Sequence, residues 1–164
     1  MEDNDETLET TGTSWAAPRT AKEKHAVQRA VDQLLDALAP ERTLARADRP
    51  GVGTIERHRT PTGCVLQAPT AAVSVSWFAD AANDATLGEL HIVVWRGVVT
   101  RRGTAPRPGG ATVVGELVVR PAERPSEDAL WRAADGTSYD TDALAARCHE
   151  LLQEEVARAT AAAP

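Results

Sequence analysis

From residue 27 onward, Val27, Val31, Leu34, Leu35 and Leu38 recur at intervals of three and four, while Lys24, Arg29, Asp32 and Asp36 fall largely outside that stripe. This is the period of an amphipathic α-helix with one buried face. Thr20 and Glu23 have the spacing of a capping box, in which hydroxyl and carboxylate satisfy the first unpaired N–H groups. Pro40 stops the helix because its ring cannot follow a continuing turn. Residues 41–47 leave room for a short further helix. A second helical stripe, Leu144, Cys148, Leu151, Leu152 and Val156, follows the good N-caps Asp140 and Thr141. Glu150, Glu154 and Glu155 are expected to face water beside it.

Between the two helices the period falls to two. Residues 51–59 form a polar strand, and Thr60-Pro61-Thr62-Gly63 turns the chain into residues 64–67. Val73, Val75 and Trp77 alternate with Ser74 and Ser76, the pattern of a sheet with one face buried and the other in contact with water. Leu90, Ile92 and Val94 share one side of the next strand, with His91, Val93 and Trp95 on the other. Residues 98–101 are expected to prolong that strand past a bulge at Gly97. Residues 112–120 return. The intervening 102–110 carry too much Gly and Pro for regular structure. Residues 129–133 add a short strand before the Asp135-Gly136 turn.

With no helix between strands, parallel crossovers are excluded in favour of a meander. The expected fold class is α+β, an antiparallel sheet of about five to six strands with N-terminal and C-terminal helices packed on one face. Residues 20–160 make a single domain. Residues 1–19 lack periodicity and form an acidic, polar, disordered tail, in which Trp15 either hangs free or docks on the domain.

Composition sharpens this picture at three points. The chain has 164 residues and its aromatic content is only 4%, four of the six aromatics being Trp, so Ala, Val and Leu must build most of the core. Sixteen of eighteen basic residues are Arg, which with abundant Ala suggests a GC-rich bacterial genome. The start Met1-Glu2-Asp3 is acidic where a secretory signal is basic, and no run approaches the ~20 apolar residues of a membrane span, so a cytoplasmic location and no membrane partner are expected. Cys64 and Cys148 fit that compartment as isolated small hydrophobes rather than a disulfide.

Candidate chemistry is sparse. His25, His58, His91 and His149 show no i, i+4 pair, and neither cysteine belongs to a Cys-x-x-Cys motif, so no metal is expected. Neither cysteine has a neighbour that would activate it, and no Gly-x-Ser-x-Gly elbow or phosphate-cradling loop occurs, so no cofactor and no catalytic residue is assigned.

Charge is the one asymmetric feature. The net charge is −6, yet residues 91–125 hold six arginines against Glu116 and Glu123. Arg101, Arg102 and Arg107 on the projecting loop, with Trp95 and Arg96 at its root, are the candidate partner-binding residues. The overall negative charge and scarcity of aromatics argue against nucleic acid. The expectation is therefore a non-enzymatic protein-interaction module (an adaptor, dedicated chaperone or immunity-type protein) using the arginine hairpin and an open sheet face. Self-association through a strand edge is a further expectation. The rival readings are a small-molecule or enzymatic pocket between sheet and helices, lined by His91, Trp77 and Trp95, and weak nucleic-acid binding by the hairpin.

Overall fold

A computed structural model describes residues 21–38, 55–80, 87–99, 110–126 and 129–163, excepting the side chains of 123–126 and 129. Two helices, α1 (Ala21–Ala37) and α2 (Thr141–Ala161), flank seven strands. These are β1 (Glu56–Thr60), β2 (Gly63–Gln67), β3 (Ala71–Phe78), β4 (Glu89–Arg96), β5 (Thr112–Ser126), β6 (Ala129–Ala133) and β7 (Ser138–Tyr139). All pair antiparallel with their sequence neighbours in one sheet of order β1 to β7. The α+β class and the terminal helices are as the pattern predicts. The strand count is seven rather than five or six because β7 is only two residues long, too short for an alternating pattern to register.

The register explains why one face is buried. Leu66, Val73 and Val94 lie in one cross-strand row. Cys64, Val75, Ile92 and Leu117 form the next. Trp77, Leu90, Val119 and Ala133 form a third. Successive side chains on a strand point to opposite faces, so these rows share one side. Val27, Val31, Leu34 and Leu38 of the first helical segment and Leu144, Cys148, Leu152 and Val156 of α2 join them in a single core. Helix α2 lies across β3, β4, β6 and β7, and α1 packs against α2. Trp131 is fully buried at one end of this layer and meets the edge of Trp77 at 6.0 Å between ring centroids.

Local signals set the helix ends where they can be seen. The Asp140 carboxylate accepts the Ala143 N–H at 2.6 Å, an N-cap bond, and Asp142 adds negative charge to the first turn. The proposed cap at Thr20, the short helix at 41–47 and Trp15 lie outside the described residues.

The expected prolongation of β4 past Gly97 is not found at residues 98–99: the strand ends at Arg96, and residues 100–101 lie outside the described residues. Gly97 has φ +99°, a conformation that turns the chain away from the strand direction. Gln67 then captures the departing segment. Its carboxamide oxygen accepts the Val99 N–H at 2.9 Å, and its nitrogen donates to the carbonyls of Ala68, Ala71 and Gly97. One buried side chain thus reinforces the backbone bonds Ala68 N–H to Ala71 O and Gly97 N–H to Thr70 O, which close the β2–β3 turn and the end of β4.

Because α1 is held by its stripe rather than by direct sheet pairing, Leu34 is a sensitive reporter of the helix layer. Leu34→Ala should lower unfolding free energy by about 2–5 kcal/mol in urea denaturation, while exposed Gln28→Ala should stay within about 0.5 kcal/mol of the parent.

Candidate functional site

The face turned away from the helices is built from the alternate rows. Val65, Ser74, Val93 and Glu116 align across four strands, and Ser76, His91 and Val118 align in the next row. Ala72, Trp95 and Val113 lie beyond them on one side. On the other side Phe78 is opposite Glu89, and Arg120 is opposite Arg132. Among the described residues no helix packs on this side. Phe78 and Val113 are each 51% exposed there, large values for apolar side chains, although Val65 and Ala72 are buried even on this face.

The centre of the face is a connected ion network. His91 Nδ1 lies 3.1 Å from Glu116, and Nε2 lies 3.1 Å from Glu89. A neutral imidazole has one N–H, so only the doubly protonated ring donates to both carboxylates at once. Glu89 also accepts from the Arg120 guanidinium, at 2.7 Å from Nε and through Nη2. Those hydrogen bonds, Arg120 first and His91 second, hold the Glu89 carboxyl below the usual carboxylate range. Phe78 sets its ring edge-to-face against the imidazole at 5.1 Å. The indole N–H of Trp95 donates to Ser74 Oγ at 2.9 Å. The aromatic groups on this face are therefore held by side chains of the face itself.

This arrangement has little to offer acid–base or nucleophilic chemistry. Ser76 stands directly across the ladder from His91, but both ring nitrogens are occupied by carboxylates. Ser74 is engaged by Trp95. Cys64 and Cys148 are free thiols buried in the core. Burial raises the Cys64 pKa against the opposing pull of Arg57, and burial pushes Cys148 up to about 12, so both stay protonated. Among the described residues no group of three or more His, Cys, Asp or Glu side chains is placed to hold a metal ion.

Of the five residues singled out from sequence, Arg101, Arg102 and Arg107 lie outside the described residues. Trp95 sits on the helix-free face. Arg96, its neighbour, points to the opposite side, where its Nε donates to Glu155 of α2 at 2.6 Å. The two do not share a surface, since adjacent strand residues alternate. The same parity separates the three residues of the anticipated pocket: Trp77 faces the helices, while His91 and Trp95 face away.

Glu155 corrects the expectation that it faces water, for its side chain is only 1% exposed. Arg96 caps it from the sheet, and Arg158, one turn along α2, approaches at 3.6 Å, leaving Oε2 without a hydrogen bond. The signal was present in the spacing. Glu155 follows Cys148 by seven, Leu151 by four and Leu152 by three, so it lies on the buried stripe rather than beside it. Gln67 was missed because a polar residue at a strand end looks like any turn residue.

No family model, curated protein or solved structure matches the chain.

Two measurements follow from these contacts. Arg96→Ala strands a buried carboxylate and should cost about 2 kcal/mol, whereas Glu155→Met frees a half-exposed guanidinium to rehydrate and should stay within about 1 kcal/mol of the parent; chemical denaturation of both variants reads the asymmetry. For Glu89, a depressed folded-state pKa means its contribution to stability is present above the unfolded carboxylate value and lost as pH falls through the lower folded one. Arg120→Gln should move the Glu89 carboxyl titration, followed by carbon NMR, upward toward the ordinary range.

Proposed function

We propose that this protein is a non-enzymatic protein-interaction module that meets its partner with the helix-free sheet face. The observation that carries the reading is the composition of that face. Exposed Phe78 and Val113 flank aromatic and ionic side chains already fixed by Trp95–Ser74 and by the Glu116–His91–Glu89–Arg120 chain. Interface cores favour aromatic anchors inside a polar surround, and prior ordering lowers the entropic cost of association.

A different protein suits this face better than edge pairing with a second copy. The edge strand β1 carries Glu56, Arg57, His58 and Arg59 in sequence, and the other edge, β7, is two residues long. Charged and very short edges resist strand-to-strand association. The cationic residues Arg101, Arg102 and Arg107 join β4 to β5 and extend the proposal as a second contact region, on which the reading of the sheet face does not depend.

The test pairs Phe78→Asp with Val113→Asp and compares affinity capture from source-cell extract, by quantitative mass spectrometry, with that of the parent and of an Arg101/Arg102/Arg107→Ala variant. Loss of a specific captured protein by the sheet-face variant, with Tm within about 2 °C of the parent, is the expected outcome. Undiminished capture by that folded variant would remove the sheet face from the proposal.

A further inference from the structure

Strand pairing places two arginines, Arg120 of β5 and Arg132 of β6, directly opposite each other on the helix-free face. Like charges in that relation repel, so an antiparallel sheet loses stability by having them there. Glu89 resolves only half of the conflict, because it is spent on Arg120. Arg132 is exposed and has no ion pair or hydrogen bond among the described residues.

The same two arginines line a surface pocket with Glu89, Val118, Pro121, Ala122, Ala133 and Ala134. Its chemistry is uneven in a specific way. One side is the Glu89–Arg120 pair, which together is neutral. The rest is small and apolar, apart from Arg132. Among the described residues the pocket therefore carries one uncompensated positive charge beside small apolar side chains, within a chain whose net charge is −6.

We propose that this pocket binds a single carboxylate on a short apolar stem, with Arg132 as its anchor. A guanidinium presents parallel N–H donors that match the two oxygens of a carboxylate, a fit that a compact ammonium lacks. The stem lies on Val118, which shares this face with Arg120 and Arg132, and on Ala122 and Ala134 of the lining. Binding removes the unopposed charge facing Arg120, so the ligand supplies what the fold leaves unsatisfied. An acidic side chain of a partner protein and a free short-chain acid present the same group. This inference deepens the protein-interaction reading by giving the partner a chemical requirement, but it stands or falls on the pocket alone.

The experiment is an NMR titration of the full chain with four probes: butyrate, butyramide, acetyl-Ala-Glu-Ala amide and its Gln counterpart. The expected result is saturable shifts of the Arg132 side-chain Nε–Hε signal and of the Val118 and Ala133 amides with a carboxylate probe, and none with its neutral counterpart. Arg132→Gln should weaken binding about tenfold or more, and Arg132→Lys, which keeps the charge but loses the fork, should fall between. Tighter binding of the glutamyl peptide identifies an acidic segment as the natural occupant, and tighter binding of butyrate identifies a free acid. Because Arg132 is exposed and faces a like charge, Arg132→Gln should melt no lower than the parent, which separates loss of binding from loss of fold. Equal shifts from the neutral probes, unchanged affinity in Arg132→Gln, or no saturation by either carboxylate would overturn the proposal. None of these results requires the sheet-face partner to have been captured, so failure here leaves that reading intact and failure there leaves this one.

Discussion

One-sided burial governs this molecule. The alternation of the central strands places Leu66, Val73, Val75, Leu90, Ile92, Val94 and Val119 on a single face, where all seven are buried in one core with side chains of the two helices. Burying a branched aliphatic side chain contributes ~1.5–3 kcal/mol, so a row of seven fixes the register without help from the turns. A slip of one residue in β4 would bring His91 or Trp95 beneath the helices and expel Leu90 or Val94. On the opposite face Val65 and Ala72 are also buried, but Ser74, Glu89, His91, Trp95, Glu116 and Arg120 are arranged by hydrogen bonds and ion pairs. The separation is not complete, since Arg96 crosses into the helix layer to meet Glu155, and Gln67 is consumed in closing the strand ends.

Those two polar residues show how such a sheet manages its margins. At the centre of the layer the backbone groups are paired in the ladder and the side chains are aliphatic. At the β2–β3 turn and where β4 ends, the regular ladder stops, and the remaining donors and acceptors find other partners. Gln67 serves four backbone groups there. The Arg96–Glu155 bond performs a related task between layers, tying the end of β4 to the last turns of α2. An ion pair of this kind adds little net stability, but it penalises any helix position that leaves the carboxylate alone.

The elements with the strongest periodicity were the most legible in the amino-acid sequence. The stripe of α1, the stripe of α2 and the alternation of β3 and β4 each contain enough repeats to override local propensity. The placement of both helices on one side followed from there being only one apolar stripe per helix. What escaped was governed by contacts between distant residues. Glu155 was assigned by residue type although its spacing matched the stripe. The end of β4 was displaced because Gly97 and Gln67 act together across 30 positions of chain, which no local pattern records. On the candidate site, alternation placed Ser74, Ser76, His91 and Trp95 on one face. It could not show that His91 stands between two carboxylates, because Glu116 is 25 residues away and its position depends on the β4–β5 register. The confrontation of Arg120 with Arg132 depends likewise on the β5–β6 pairing.

The order of the elements along the chain has a consequence for biosynthesis. Each strand pairs with the one made just before it, so the sheet can grow step by step as the polypeptide leaves the ribosome. Its principal cover, the 21-residue helix α2, is made after every strand. Until that segment emerges, α1 lacks the helix it packs against and the aliphatic rows are exposed in the nascent state, the condition in which chains are most prone to aggregate. Premature termination anywhere within the final helix would therefore yield a complete sheet without its lid, a product destined for chaperones or proteolysis rather than a smaller working domain.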